Sequence, residues 1–339
     1  MSNFFNLLKT FIKTTELTSA EKKRSKHFYT IMGTAVVLLI MIPAGALVGI
    51  ITYALTLGVM TYGGATQGAE VILHIISILS VVFGINVIIN IFYFSNDIEN
   101  LIPLPLKPRE IVSAKFAYSL LSENIMEFIL ILGACVGFMS AKGFSLTGVI
   151  TSIIGILTVP IIPLAYCGII AVIFMYFTHS VKNRDFLNKI TGIGTAVLIV
   201  GALVALVSIS GFNPDAIVTS LASADNGFLN VMNFIFPHIP LMMDSISSES
   251  VYQLLLYLLA NVIFVAVFLF LASKMYIKGV SDINTTKSKR SKSIASQAVE
   301  KSTQKGVFAS YLKKEFLILF RTPPFFMDCI AINLLWPVF

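Results

Sequence analysis

The stretch VILHIISILSVVFGINVIINIFYF, residues 71–94, runs for 24 positions without an Asp, Glu, Lys or Arg side chain. A helix needs about 20 mostly apolar residues to cross the hydrocarbon core of a bilayer. Over the whole chain, 56% of the residues are hydrophobic and 12% are charged, whereas a soluble domain carries about 25% charged residues. A soluble chain of this composition could not cover its surface with polar groups, so the sequence predicts a membrane protein.

Six apolar runs along the chain are long enough to span the bilayer. They are Tyr29–Leu57, Val71–Phe94, Leu120–Ser140, Leu146–Thr178, Ile190–Ser210 and Val251–Tyr276. The fourth run is unusually long and holds Pro160 and Pro163 in its middle, where we expect a kink. We therefore predict an all-α membrane protein whose six transmembrane helices form a bundle within residues 29–280.

The loops between these runs alternate between rich and poor in Lys and Arg. With the N-terminus placed inside, Lys142 is the only one of the 24 basic residues that falls on the opposite side. Because cytoplasmic loops carry the excess of Lys and Arg, this alternation predicts a multi-pass protein of the cell membrane with a cytoplasmic N-terminus. The segments Gly58–Glu70 and Gly211–Ser250, which have no basic residue, are then extracellular.

Two further segments have the spacing of amphipathic helices that lie on the membrane surface. The first, Asn3–Leu17, belongs to a cytoplasmic N-terminal part at residues 1–28. Its apolar face is formed by Phe4, Phe5, Leu8, Phe11 and Ile12. The second, Phe308–Phe320, has a similar face, so the arrangement of surface helix followed by span begins again near the end of the chain.

The C-terminal region predicts a linker followed by an incomplete unit. Residues 281–307 are polar and basic, which is typical of a flexible cytoplasmic linker. Residues 308–339 hold the second surface helix and a seventh apolar run that starts near Phe325 and is too short to span. Because a terminal carboxylate in mid-bilayer is costly, we expect the chain to be a C-terminally truncated piece of a longer protein.

The sequence carries no recognisable enzyme or metal motif. The net charge of +7 resides in short loops between apolar runs, which argues against nucleic-acid binding. Cys135, Cys167 and Cys329 lie within apolar runs without metal-ligand spacing, and no GxxxxGK[ST] phosphate-binding loop is present. We expect no cofactor and no metal on this chain.

A few polar residues inside the runs are candidates for function. Glu123 and Glu127 lie one helical turn apart in the third run. They can be read as residues near the interface or in a hydrated groove, or as a proton or cation relay. Asn86 and Asn90, also one turn apart, can bond between helices, where packing is favoured over substrate contact. The pairs Gly45/Gly49 and Gly133/Gly137 permit close helix approach.

The loop SNDIENLIPLPLKPREIVSAKF, residues 95–116, has an apolar centre stiffened by prolines and flanked by charges. Such a loop suits docking to a cytoplasmic partner, and it equally suits packing under the bundle. Pro108 fits the first turn of a new helix.

This loop resembles a known family. The residues Phe-Tyr-Phe-Ser-Asn-Asp (92–97), Leu-Ile-Pro-Leu-Pro-Leu (101–106), Arg109-Glu110 and Ala114-Lys115-Phe116 resemble the first cytoplasmic loop of ATP-binding-cassette (ABC) exporter permeases of the second class. Lys314-Glu315 followed by Arg321-Thr322-Pro323 resembles the start of the second half of such permeases.

The resemblance implies a membrane subunit driven by a separate ABC ATPase subunit. The ATPase contacts would be Asp97, Glu99, Asn100, Leu101, Pro103, Leu104, Pro105 and Arg109. Asn3–Leu17 and Phe308–Phe320 would be elbow helices, the second with Glu315 followed by Arg321. The chain would pair with a second permease half or with its missing C-terminal half. The polar residues leave two alternatives open, which are a gradient-driven transporter using Glu123 and Glu127 and a membrane assembly or anchor protein.

Overall fold

A computed structural model describes residues 2–17, 25–93, 106–177, 214–222 and 226–300. Every secondary-structure element in this part of the chain is a helix. The fifth predicted span, the second surface helix, the seventh run and most of the loop at 95–116 lie outside the described residues.

Ten helices follow one another along the described residues. They are α1 (Ser2–Leu17), α2 (Ser25–Thr61), α3 (Gln67–Tyr93), α4 (Pro108–Lys142), α5 (Leu146–Thr158), α6 (Ile161–Phe177), α7 (Pro214–Ala222), α8 (Gly227–Ile235), α9 (His238–Ser248) and α10 (Val251–Glu300).

Four apolar helical stretches are long enough to cross a membrane, namely Leu39–Thr61, Gln67–Phe92, Leu146–Ile173 and Val251–Met275. They coincide with the first, second, fourth and sixth predicted runs. A fifth candidate is α4, which covers the third run but bends by 59° between Ile125 and Glu127. These helices mark the chain as a membrane protein. The full count of six and the orientation stay predictions.

The fourth run is interrupted at the place where a kink was expected. Helix α5 ends at Thr158 and α6 begins at Ile161, with Pro160 in the turn between them. Proline has no backbone N–H to continue the helical ladder and its ring clashes with the preceding turn, so the helix is interrupted there. The run nevertheless counts as one candidate span.

Helices α2 and α4 pack through the two predicted glycine pairs. A Cβ atom added at Gly133 would overlap the carbonyl oxygen of Gly45, and one added at Gly137 would overlap that of Gly49. At Gly49 the added atom would lie 3.1 Å from the carbonyl oxygen of Gly133. The glycine pairs therefore let α2 and α4 approach closely, as the sequence predicted, because two backbones can touch only where no side chain lies between them.

The segment predicted as an extracellular loop, Gly211–Ser250, contains helices α7, α8 and α9. Asn226 caps α8, since its side-chain oxygen accepts from the N–H groups of Phe228 and Leu229 at 3.0 and 3.2 Å. Helix α9 buries apolar residues at spacings of three and four, namely Ile239, Met242, Met243 and Ile246. They form a core cluster, here called the α9 cluster, with α3, α4, α5 and α10.

Helix α10 continues through Ser281–Glu300, where the sequence predicted a flexible linker. No glycine or proline occurs between Gly279 and Gly306, so nothing in the sequence forces the helix to end after the membrane-spanning part. The remainder of the predicted linker, from residue 301, lies outside the described residues.

Helix α1 packs against the bundle through a face shifted from the predicted one. Leu7, absent from the predicted face, and Phe11 are buried, whereas Phe5 and Ile12 are 63% and 41% exposed. The buried pair joins residues of α3, α4, α6 and α10 in a second core, here called the α1 cluster. The apolar residues of this helix cover a wide arc, so the pattern alone did not specify which of them the bundle would cover.

Candidate functional site

Two carboxylates lie inside the bundle on α4. Glu123 is 1% exposed and Glu127 is 5% exposed. Both side chains are covered by neighbouring helices, and the two interpretations of their role, near the interface or in a hydrated groove and as a relay, stay predictions. Carboxylates within a membrane helix are costly and are commonly functional, so this pair is the first candidate for a site.

The carboxylates face a line of small residues on α3. Ser80 lies opposite Glu127, and a Cβ added at Gly84 would lie 3.9 Å from Oε1 of Glu123. Ser80 and Gly84 are one turn apart on α3, as Glu123 and Glu127 are on α4. Ser80 therefore lies opposite Glu127 and Gly84 opposite Glu123, because α3 and α4 run in opposite directions here. We call Glu123, Glu127 and Ser80 the carboxylate–hydroxyl cluster.

Most oxygen atoms of this cluster have no hydrogen-bond partner among the described residues. They are Oε1 and Oε2 of Glu123 and Oε2 of Glu127, whereas the Ser80 hydroxyl donates to the Glu127 side chain. Ser77, one turn before Ser80 on α3, is also fully buried, and its Oγ has no hydrogen-bond partner within the described helices. Since buried polar groups are nearly always satisfied, protonation of the carboxylates, buried water or a ligand would supply the hydrogen bonds that these oxygens lack.

Cys167 of α6 closes one side of the cluster. A Cβ added at Gly84 would lie 3.5 Å from the Cys167 sulfur, which itself donates to the carbonyl oxygen of Val81 at 3.2 Å. Among the described residues, no group of three or more His, Cys, Asp or Glu side chains is arranged to hold a metal ion. Cys167 is thus a neighbour of the cluster that sequence reasoning missed. The sequence alone suggested only a core role for this cysteine, because the contact between α6 and α3 is visible only in the fold.

Asn86 and Asn90 are not part of the cluster. They lie on α3 six and ten residues beyond Ser80, which places them on other faces of the helix. The Asn90 side-chain amide donates to the carbonyl oxygen of Asn86 at 2.8 Å, within its own helix.

Lys115 forms a second polar feature, at the end of α4 that follows the loop. Its side chain is 1% exposed, and Nζ donates to the carbonyl oxygen of Ile91 at 2.6 Å. The same nitrogen lies 5.5 Å from the centre of the Phe11 ring, at cation–π distance. Lys115 thus connects α4 with α3 and α1. At the sequence level it was a residue of the loop 95–116 and of the Ala114-Lys115-Phe116 stretch that carries the family resemblance.

Among the predicted ATPase contacts, Arg109 alone is described. It lies exposed in the first turn of α4, next to Glu110, whose carboxylate accepts from the backbone N–H of Lys107 at 3.2 Å. Asp97, Glu99, Asn100, Leu101, Pro103, Leu104 and Pro105 lie outside the described residues, as do Glu315 and Arg321. These assignments stay predictions.

Two buried histidines lie at the other end of the bundle. Nε2 of His74 is 2.7 Å from the side-chain oxygen of Asn233, and Nε2 of His238 is 3.2 Å from the carbonyl oxygen of Val159. Burial lowers the pKa of His238 to about 3, and His74 nearby acts in the same direction. His238 is therefore a neutral imidazole that ties α9 to the turn after α5, which is a structural role.

No family model, curated protein or solved structure matches the chain. The helices and the cluster therefore define its class by themselves, as an α-helical membrane protein with buried carboxylates between its helices.

Proposed function

We propose that the chain is the membrane-spanning permease subunit of an ATP-driven exporter, coupled to a separate ABC ATPase subunit through residues 95–116. The family resemblance of that loop motivates the proposal. The structural observation that carries it is the packing of α1 against α4 directly after the loop, through Leu7, Phe11 and Lys115.

The beginning of α4 is suited to transmit a displacement of the loop to the rest of the helix. Pro108 and the bond from the Lys107 backbone to Glu110 fix its first turn. Leu106 packs on the α1 cluster, so the last residue before the helix cap is already held by the bundle. A partner that moves the loop therefore moves α4 together with α1.

Helix α4 leads from that end to the carboxylates. Glu123 follows Lys115 by eight residues, about 12 Å along a helix, and the bend in α4 comes next. A shift at the loop would change how α4 meets α3 at the cluster. In this proposal, ATP binding and hydrolysis on the partner supply the energy, because this chain has no phosphate-binding loop.

Co-purification with an ABC ATPase encoded near this chain tests the proposal, with Leu104→Asp as the disrupting variant. A charge in the apolar centre of the loop is expected to lower ATPase recovery at least tenfold. Phe144→Asp is the matched control, since Phe144 is exposed in the turn between α4 and α5, at the opposite end of α4. Unchanged recovery with Leu104→Asp, or the lack of any ATPase partner, would refute the proposal.

A further inference from the structure

We propose that α8 and α9, residues 227–248, form a re-entrant hairpin inside the membrane and that the exposed face of α8 contacts lipid acyl chains. The hairpin enters and leaves on the side where α4 meets α5, and its tip lies at Phe236 and Pro237. This inference concerns the chain alone and does not require the ATPase partner.

The hairpin is unusually apolar for a loop in water. Positions 226–243 carry no Asp, Glu, Lys or Arg side chain, and Asp225 and Asp244 flank them. Phe236 and Pro237 divide this stretch into two short helices, so it contains no continuous helix of spanning length. A stretch of this kind suits a segment that enters the membrane and returns to the same side.

Helix α9 runs antiparallel to α5 over its whole length. The hydroxyl oxygens of Ser245 and Thr151 are 3.2 Å apart, and a Cβ atom added at Gly148 would lie 3.1 Å from Cγ2 of Ile246. From the surface inward, the contacts pair Ile246 with Gly148, Ser245 with Thr151, Met242 with Gly155 and His238 with Val159. Since α5 opens the candidate span Leu146–Ile173, α9 lies at the depth of the first half of that span.

The tip of the hairpin lies deep in the bundle. Val159 is in the middle of the 28-residue stretch Leu146–Ile173, about 20 Å along the helix from its first residue. Nε2 of His238 is 3.2 Å from the carbonyl oxygen of Val159. Because α9 reaches this residue, the hairpin extends to about the middle of a bilayer core that is about 30 Å thick.

Polar side chains satisfy the free backbone groups near the tip, as a turn at membrane depth requires. In an unbroken helix the N–H of residue 163 would donate to the carbonyl oxygen of Val159, but Pro163 has no N–H. His238 donates to that carbonyl instead. The Tyr166 hydroxyl donates to the carbonyl oxygen of Ile235, where α8 ends, at 2.7 Å. His238 and Tyr166 are therefore positioning residues that hold the tip at this depth.

The face of α8 that points away from the bundle is apolar. Val231, Phe234 and Ile235 are 55%, 87% and 37% exposed. The neighbouring Asn233 has its side-chain oxygen 2.7 Å from Nε2 of His74, which lies about 10 Å along α3 from the start of its candidate span at Gln67. At that depth the medium beside an exposed side chain is hydrocarbon, so lipid acyl chains are the partner that this face fits.

Fluorescence quenching of the full chain in lipid vesicles tests the contact. The chain has one tryptophan, so Trp336→Phe gives a background in which Phe234→Trp places a single reporter. Phosphatidylcholine brominated on its acyl chains is expected to lower the reporter emission about twofold, while iodide in the water has little effect, because hydrocarbon excludes ions. Phe144→Trp is the matched control, since Phe144 is exposed in the turn between α4 and α5, and it should show the opposite pattern.

Two substitutions at the tip test what holds the hairpin in place. His238→Phe leaves the Val159 carbonyl unpaired and should lower quenching of the reporter by brominated lipid about twofold, with a matching rise in quenching by iodide. Tyr166→Phe removes a single hydroxyl, so it gives the same readout where His238→Phe fails to fold. Tyr252→Phe is the control, because it makes the same change at an exposed tyrosine of α10 and should alter neither value.

The outcomes separate clearly. Strong quenching of the Phe234→Trp reporter by iodide would overturn the proposal, because α8 would then lie in water. Quenching by neither agent would overturn it as well, because another protein segment would then cover the face. Equal values in Tyr166→Phe and Tyr252→Phe would refute the positioning role of Tyr166. Loss of ATPase recovery in Leu104→Asp reports on the loop alone, so either proposal can fail without the other.

Discussion

At the scale of single residues, the packing of α2 against α4 depends on glycines, which have no side chain. Gly45 and Gly49 on α2 meet Gly133 and Gly137 on α4 backbone to backbone. Between membrane helices, packing replaces the hydrophobic effect as the driving force, because lipid tails are as apolar as the helices. A methyl group added at one of these glycines would therefore disturb the packing of α2 against α4.

Gly133→Ala is expected to destabilise the fold by about 1–3 kcal/mol, because the added methyl overlaps the carbonyl oxygen of Gly45 and backbone cannot move aside as a side chain can. Thermal unfolding in detergent measures the change. Gly227→Ala is the matched control, since a Cβ atom there meets nothing within 4 Å. Equal melting temperatures for the two variants would contradict the close packing of α2 on α4.

At the scale of elements, α1 shows how one helix can have two apolar faces with different roles. Leu7 and Phe11 are buried against the bundle, while Phe5 and Ile12 are exposed. The exposed pair is free to contact lipid, as expected for a helix that lies on the membrane surface. The buried pair joins α1 to the end of α4 that follows the predicted docking loop.

Phe11→Ala should loosen α1, because it removes a buried ring that packs on the α1 cluster and lies beneath Lys115. Hydrogen–deuterium exchange over residues 2–17 is expected to become at least tenfold faster. Phe5→Ala changes the same residue type on the exposed side of the same helix and should leave exchange nearly unchanged. Faster exchange in both variants to the same extent would show that membrane contact alone holds α1.

At the scale of the whole molecule, helices of spanning length pack around two large cores and a smaller one formed by Val59, Val71, Leu221 and Leu229 among the described residues. The α1 cluster lies where α1 joins the bundle, and the α9 cluster lies where α9 joins it. From the distribution of basic residues we predict that the first lies at the cytoplasmic end and the second at the extracellular end. The carboxylate–hydroxyl cluster lies between them, along α4.

Labelling of intact cells tests this orientation. In a variant with Cys135, Cys167 and Cys329 replaced by serine, a cysteine at exposed Ser248 should react with a membrane-impermeant maleimide. A cysteine at exposed Lys107 should react only after the membrane is permeabilised. The opposite result at both positions would invert the topology, and reaction at both from outside would contradict the count of spans between them.

The sequence by itself determined the membrane class, the apolar helices and the break at Pro160. It also indicated that the Gly45/Gly49 and Gly133/Gly137 pairs permit close helix approach. Each of these follows from residues close together in the chain, because hydropathy, proline geometry and glycine spacing act locally. Only the tertiary structure decided that Ser80, Gly84 and Cys167 meet Glu123 and Glu127, and that Leu7 rather than Phe5 is buried. Those contacts join residues distant in sequence, and they are set by how helices pack, which no local pattern encodes.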